Sequence, residues 1–109
     1  MGMLIGYNPK YYIRTFCNDL KNDCLHNQIN IDIECVDEHK DIYRIKEQDK
    51  VYNLEIDEIV QEDIGSYQIL KMTYREKGKI YNMLTHHDDV NVRKENDGEL
   101  YFSIISDVI

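Results

Sequence analysis

The stretch FCNDLKNDCLHNQINIDIEC, residues 16–35, decides the fold because its hydrophobic period changes from helical to strand-like. In its first half and just before it, apolar side chains recur every three or four residues and form one stripe. The stripe consists of Ile13, Phe16, Cys17, Leu20 and Cys24. Asn8 and Pro9 suit the cap and the first position of a helix. The pattern predicts a helix that starts there and ends near Leu25, with Asn27 as a left-handed cap.

In the second half of the stretch the period becomes two, which is typical of a half-buried strand. The alternating apolar residues are Ile29, Ile31, Ile33 and Cys35. Two alternating segments follow, DIYRI at 41–45 and VYNLEI at 51–56, and the polar KEQDK between them predicts a hairpin loop. The next segment, DEIVQED at 57–63, fits either a strand or a short helical turn.

Two further hairpins are predicted toward the C-terminus. The first pairs YQILKMTYR, 67–75, with IYNMLTHH, 80–87, through the glycine-bearing turn EKGK. The second pairs VNVRK, 90–94, with ELYFSII, 99–105, through an Asn-Asp-Gly turn, which is a strong hairpin signal. Consecutive hairpins favour antiparallel pairing. The sequence therefore predicts one α+β domain, residues 1–109, in which an N-terminal helix packs on an antiparallel meander sheet of about six to seven strands.

Targeting signals and cysteine usage indicate where the protein acts. No apolar run in the 109 residues approaches the length that a membrane-spanning helix needs, and the N-terminus lacks a signal-peptide pattern. We therefore expect a cytoplasmic protein. The three cysteines, Cys17, Cys24 and Cys35, are an odd and small number, which argues against a disulfide framework. We expect them to be reduced thiols that pack as small apolar groups.

The net charge of −8 is concentrated in one segment of the chain. Residues 32–63 hold twelve carboxylates and four basic side chains. The twelve are Asp32, Glu34, Asp37, Glu38, Asp41, Glu47, Asp49, Glu55, Asp57, Glu58, Glu62 and Asp63. Asp32 and Glu34 share one face of a predicted strand, and Glu55 and Asp57 share one face of another. If these strands are neighbours, like charges crowd together and destabilise the sheet, which suggests that the negative charge has a use.

This charge favours a non-enzymatic acidic binding protein that inhibits or neutralises a basic partner. Complementary charge speeds encounter, and natural basic partners are nucleases and other nucleic-acid-binding proteins. Immunity proteins, DNA mimics and phage anti-defence proteins, including anti-CRISPR inhibitors, act in this general way. Direct binding to nucleic acid is disfavoured because phosphates repel a protein of this charge. The predicted partner-binding residues are Asp32, Glu34, Asp37, Glu38, Glu55, Asp57 and Glu58, with Tyr43 or Tyr52 as an aromatic anchor.

Two other functions stay open at the level of the sequence. One is a small-molecule or nucleotide-binding domain with a pocket lined by tyrosine, because a curved sheet with a helix across it can enclose a ligand. Its predicted ligand-binding residues are Lys71, Tyr74, Arg75 and Lys79. The other is a homodimer formed through an exposed edge strand, for which ELYFSIISDVI at 99–109 is the best candidate.

Catalytic and metal-binding motifs are weak. HHDD at 86–89 has metal-ligating side chains, but neighbouring residues on a strand point to opposite faces and a loop accounts for the polarity. A zinc site would need ligands from the following five residues, whose spacing lacks a C-x-x-C pair. They are Cys17, Cys24, His26, Cys35 and His39. We therefore expect no catalytic residues, no metal and no cofactor.

Overall fold

The structure is a computed structural model that describes residues 9–62, 65–88 and 90–104, with side chains described for residues 13–61, 67–88 and 90–103. These ranges contain two helices and six strands. In chain order they are α1 (Pro9–His26), β1 (Asp32–Asp37), β2 (Ile42–Glu47), β3 (Lys50–Glu62), β4 (Gly65–Tyr74), α2 (Lys79–Thr85), β5 (Val90–Asn96) and β6 (Glu99–Ile104). The predicted α+β fold class is confirmed: an N-terminal helix packs on an antiparallel six-stranded sheet.

The predicted first helix is confirmed as α1, and its apolar stripe is buried. Phe16 packs against Phe102 of the sheet, with ring centroids 5.5 Å apart. The left-handed cap lies one residue later than predicted, because Gln28 has the positive φ, 59°, and the predicted Asn27 does not. The amide of Ile29 donates to the carbonyl of Cys24 at 2.8 Å, and this hydrogen bond caps the C-terminal end of the helix.

The sheet has the strand order β1-β2-β3-β4-β6-β5, and all described pairs are antiparallel. The first four strands form the predicted meander. The last hairpin, which turns at Gly98 with φ 81°, adds β6 beside β4 and places β5 at the far edge. The segment that fitted a strand or a helical turn is strand: β3 continues to Glu62, with a bulge between Ile56 and Glu58.

The predicted hairpin between 67–75 and 80–87 is wrong, because its second half forms α2. Ile80, Tyr81 and Leu84 are the buried residues of this helix, and their spacing fits a helical face as well as a strand. A tertiary contact stabilises the helical conformation. The Glu47 carboxylate accepts hydrogen bonds from the backbone amides of Lys79 and Ile80, which are unsatisfied donors at the helix start.

The predicted C-terminal edge strand is also wrong over the part that the structure describes. β6 pairs with β4 on one side and with β5 on the other, so its backbone groups are already used within the sheet. Residues 105–109 of that prediction lie outside the described residues. Within the described sheet the edges are β1 and β5, so the segment from Glu99 to Ile104 offers no edge to a second copy.

Both helices pack on the same face of the sheet, here called the core face. Eight apolar strand side chains on this face are buried: Tyr43, Ile45, Tyr52, Leu54, Leu70, Met72, Leu100 and Phe102. Each large apolar side chain that is fully buried contributes about 1.5–3 kcal/mol. The opposite, outer face carries the alternate residues of the same strands, and neither helix covers it. The outer face is therefore the broad surface on which sheet residues are available to a partner.

Candidate functional site

The structure divides the predicted partner-binding residues into three groups. The first group is Asp32 and Glu34, which lie on the outer face of β1 directly opposite Lys46 and Arg44 of β2. An oxygen of Glu34, Oε1, is 3.0 Å from Nη1 of Arg44. β2 separates β1 from β3, so the like-charge crowding predicted between these acids and those of β3 does not occur. Cross-strand cations balance this part of the sheet instead.

The second group is Tyr43 and Tyr52, and it corrects the expectation of an exposed aromatic anchor. Their side chains lie on the core face, where Tyr43 is 6% exposed and Tyr52 is fully buried. The hydroxyl of Tyr52 donates to Oε1 of Glu47 at 3.0 Å, and burial raises the pKa of Tyr52 well above its usual value. These rings stabilise the core and are not presented to a partner.

The third group gathers at one end of the sheet, here called the acidic end: Asp37, Glu38, Glu55, Asp57 and Glu58. The last described pair between β2 and β3 joins Tyr43 to Leu54, and β2 begins one residue before Tyr43. This register sets the β1–β2 turn beside the part of β3 that follows Leu54. The turn acids and the β3 acids therefore meet at the same end, although they are about twenty residues apart in the sequence.

Side-chain and backbone contacts fix the acidic end. Oδ1 of Asp37 accepts hydrogen bonds from the amides of His39 and Lys40, at 2.9 and 3.1 Å, which holds the turn. On the strand side, the bulge of β3 falls at Asp57, and Asp57 and Glu58 are both exposed. Beyond the bulge, the described part of β3 pairs with β4 and has no pair with β2, so the acidic end continues into a two-stranded arm.

The cation that lies beside the β3 acids of the acidic end is already engaged. Nζ of Lys71 lies 3.7 Å from Oε1 of Glu55 and 3.8 Å from Oε2 of Glu99. The neighbouring Tyr101, together with Glu55, Glu99 and Asp57, raises the pKa of Lys71 above its usual value. One ammonium group is thus shared by two carboxylates, and it also interacts electrostatically with Asp57. A net negative charge is left on this end of the outer face.

The opposite end of the outer face, here called the groove end, has a different balance. Its four cations are Arg44, Lys46, Lys50 and Arg75, and its four carboxylates are Asp32, Glu34, Asp49 and Glu76. A groove of about 660 Å³ lies here. It is lined by Arg44, Asp49, Lys50, Val51, Asn53, Thr73, Tyr74, Arg75 and Glu76.

The residues predicted for a small-molecule site are not brought together. Lys71 and Arg75 belong to the outer face, whereas the ring of Tyr74 packs on the core side against Tyr81, with centroids 5.2 Å apart. Lys79 starts α2, which also lies on the core side. Two of the four, Tyr74 and Arg75, line the groove. A single tyrosine-lined pocket with all four residues is therefore not formed.

Glu47 is the residue that sequence reasoning missed. Its carboxylate is buried at the end of β2 and accepts hydrogen bonds from Tyr52 and from the first amides of α2. A side chain at Gly78 would collide with this cluster, since a Cβ there would lie 2.7 Å from Oε1 of Glu47. The sequence signal was available only in part: Glu47 has the same parity as the buried Tyr43 and Ile45, so alternation places it on the core face.

The weak catalytic and metal motifs are dispersed. Nδ1 of His86 lies 2.8 Å from the carbonyl of Asn82, Nε2 of His87 lies 3.3 Å from Oδ2 of Asp23, and Asp89 lies outside the described residues. Among the residues that the structure describes, no three His, Cys, Asp or Glu side chains are grouped so that they could hold a metal ion.

The buried thiols are poor nucleophiles. Burial raises the pKa of Cys17 to about 12 and that of Cys24 to about 11, and a nucleophilic thiol needs a lowered pKa. Cys35 is exposed.

Within the described ranges, neither helix has the length and apolar character to cross a membrane. Comparison with protein-family models, with curated proteins and with solved structures finds no match to this chain. Function therefore has to be inferred from the chemistry of the residues themselves.

Proposed function

We propose that the chain is a non-catalytic binding protein that acts in the cytoplasm and inhibits or neutralises a basic, nucleic-acid-binding protein. The observation that carries this proposal is the acidic end. Five carboxylates gather there, and the ammonium group of Lys71 that lies among them is already engaged by Glu55 and Glu99. A basic groove on a nuclease or another nucleic-acid-binding protein complements such a surface.

The position of these carboxylates favours long-range attraction. Asp57 and Glu58 are exposed on a strand that projects past β2, so a partner can approach them without contact with the rest of the sheet. Unpaired surface charge of one sign steers diffusional encounter, and the effect falls steeply with ionic strength. The proposed complex is therefore strongly dependent on salt.

The test compares two double variants that remove the same charge at different places. D57N/E58Q neutralises the acidic end, and D32N/E34Q neutralises two carboxylates that face cations at the groove end. Each immobilised protein is incubated with lysate of its native host and washed at low and then at high salt, and the eluted proteins are identified by mass spectrometry. Captured proteins are then assayed for nucleic-acid binding or cleavage with and without the chain.

We expect the wild type and D32N/E34Q to capture the same basic nucleic-acid-binding protein, to release it at high salt and to inhibit its activity. D57N/E58Q should lose capture and inhibition. The fold of each variant is checked by circular dichroism. Capture that both double variants lose equally would mean that only net charge matters, and an eluate without basic proteins would remove the proposal.

A further inference from the structure

The groove at the groove end is a second surface with its own chemistry. Its volume, about 660 Å³, is in the range of small-molecule sites. Its floor is formed by outer-face residues of two adjacent strands, because Asn53 of β3 pairs with Thr73 of β4, and Val51 lies two residues before Asn53. Val51 is 41% exposed, so the floor offers an apolar patch between polar side chains.

The walls of the groove are positively charged on balance, in a protein whose net charge is −8. Three cations line it, Arg44, Lys50 and Arg75, against the carboxylates of Asp49 and Glu76. Asp49 is already paired with Lys50, since Oδ1 and Nζ are 3.7 Å apart. The lining itself carries one more cation than carboxylates, which in an acidic protein points to an anionic ligand.

Two of these cations have donors to spare. The ion pair of Arg44 with Glu34 uses Nη1, and a guanidinium carries five N–H donors. For Arg75, the described part of the chain shows neither an ion pair nor a hydrogen bond of the side chain. Arg44 stands on β2 and Arg75 directly follows β4, two residues beyond Thr73, which is level with Arg44 across β3, so their backbones are about 12 Å apart. Both long side chains can reach an anion held above β3.

We propose that this groove binds a small phosphorylated molecule, with Arg44 and Arg75 as a phosphate clamp and with Asn53 and Thr73 as polar contacts on the floor. Guanidinium groups match phosphate oxygens in fork geometry and bind them through charge-assisted hydrogen bonds. Two guanidinium groups on opposite walls require an anion with several acceptors, which a phosphorylated molecule supplies. The site is separate from the acidic end, and the inference stands without the proposed function.

The test uses inorganic pyrophosphate as the probe and citrate as a matched polyanion without phosphorus. Each is titrated into the ¹⁵N-labelled protein at low ionic strength, and binding is followed by amide chemical shifts. Three proteins are compared: the wild type, R75Q, and K79Q, which removes an exposed cation on α2 outside the groove. Unchanged dispersion of the remaining amide signals verifies that each variant is folded.

We expect saturable binding of pyrophosphate with the largest shifts at Val51, Asn53 and Thr73. R75Q should bind about tenfold more weakly because charge-assisted hydrogen bonds are lost, and K79Q should bind like the wild type. Equal weakening in R75Q and K79Q would reduce the effect to a general ion atmosphere and overturn the proposal. Absence of saturation, or binding of citrate as tight as that of pyrophosphate, would overturn it as well.

Discussion

The two ends of the outer face are built from the same antiparallel strands, yet their charges are arranged differently. At the groove end, each carboxylate of β1 faces a cation of β2: Asp32 faces Lys46, and Glu34 faces Arg44. At the acidic end, Glu55 likewise faces Lys71, which Glu99 also contacts, but Asp57 lies in the bulge and Glu58 faces Ile69. The difference teaches that the charge of a sheet surface is set by register. An excess of acids along the sequence becomes a surface charge only where the opposite strand supplies no cation.

The two ends also differ beneath the surface. Beneath the groove end lies the buried carboxylate of Glu47, whose hydrogen bonds connect the end of β2 to Tyr52 and to the start of α2. The acidic end is fixed by the exposed turn at Asp37 and by the bulge of β3. A change in buried polar groups costs far more than one on the surface. We therefore expect mutations to separate the two ends by stability as well as by binding.

The largest effect is expected for Glu47→Ala. Loss of the carboxylate leaves the amides of Lys79 and Ile80 and the hydroxyl of Tyr52 without their acceptor inside the protein. Three charge-assisted hydrogen bonds disappear, and we expect the free energy of unfolding to fall by about 3 kcal/mol or more. Urea denaturation followed by circular dichroism measures the change.

The matched control for Glu47 is Asp49→Ala, which removes a carboxylate two residues further along the chain. Its side chain is exposed and forms an ion pair with its neighbour Lys50. We expect a change within about 0.5 kcal/mol, as for other surface substitutions. A loss of less than about 1 kcal/mol in Glu47→Ala would mean that the groove end does not depend on this cluster.

The second prediction concerns pH and the two buried thiols of α1. Burial raises the pKa of Cys24 to about 11, with Asp23 and Glu47 adding to the effect, and burial raises that of Cys17 to about 12. Each folded pKa lies above the unfolded value, so each contribution is complete below the unfolded pKa near 9 and is lost as pH rises through the folded pKa. Between these values the unfolding free energy should fall by about 1.4 kcal/mol per pH unit and per thiol.

Urea denaturation at a series of alkaline pH values checks this slope. The variants Cys17→Ala and Cys24→Ala provide the comparison, because each removes one titrating group while tyrosines and lysines titrate as before. Each variant should show a slope that is shallower by the contribution of one thiol, whatever its absolute stability. Parallel curves for the wild type and both variants would show that these thiols ionise equally in the folded and unfolded chain.

Local pattern predicted those elements whose period is long and regular. The stripe from Ile13 to Cys24 predicted α1, and the Asp-Gly turn predicted the last hairpin. α2 was not predicted because it has only seven residues. In addition, Glu47, which accepts hydrogen bonds from its first amides, is about thirty positions away in the sequence. Periodicity carries no information about such a contact.

The candidate site shows the same limit. Alternation already placed Tyr52 on the face of Leu54, so its burial was contained in the pattern, and the same parity holds for Tyr43 and Ile45. The division of the acids into two ends could not be predicted from this pattern. Alternation gives the face on which a side chain lies, but it does not give the residue that faces it on the next strand. That information comes from register, which depends on turn geometry and on the bulges of β1 and β3.

The smallest effect, and the most direct test of the charge balance, is expected for Lys71→Gln compared with Arg44→Gln. The first removes the ammonium group that is shared by Glu55 and Glu99, and the second removes a more exposed single ion pair with Glu34. We expect Lys71→Gln to lower the unfolding free energy by about 0.5–1 kcal/mol at low salt, and Arg44→Gln by about half as much.

Because the loss in Lys71→Gln arises from repulsion among exposed carboxylates, salt should restore most of it once the Debye length falls to a few ångströms, near 1 M. Urea denaturation at low salt and at about 1 M salt measures both variants, with the wild type at each salt concentration as the reference. A loss in Lys71→Gln that is the same at both salt concentrations would mean that the carboxylates around position 71 do not repel one another, and the acidic end would then carry no more unbalanced charge than the groove end.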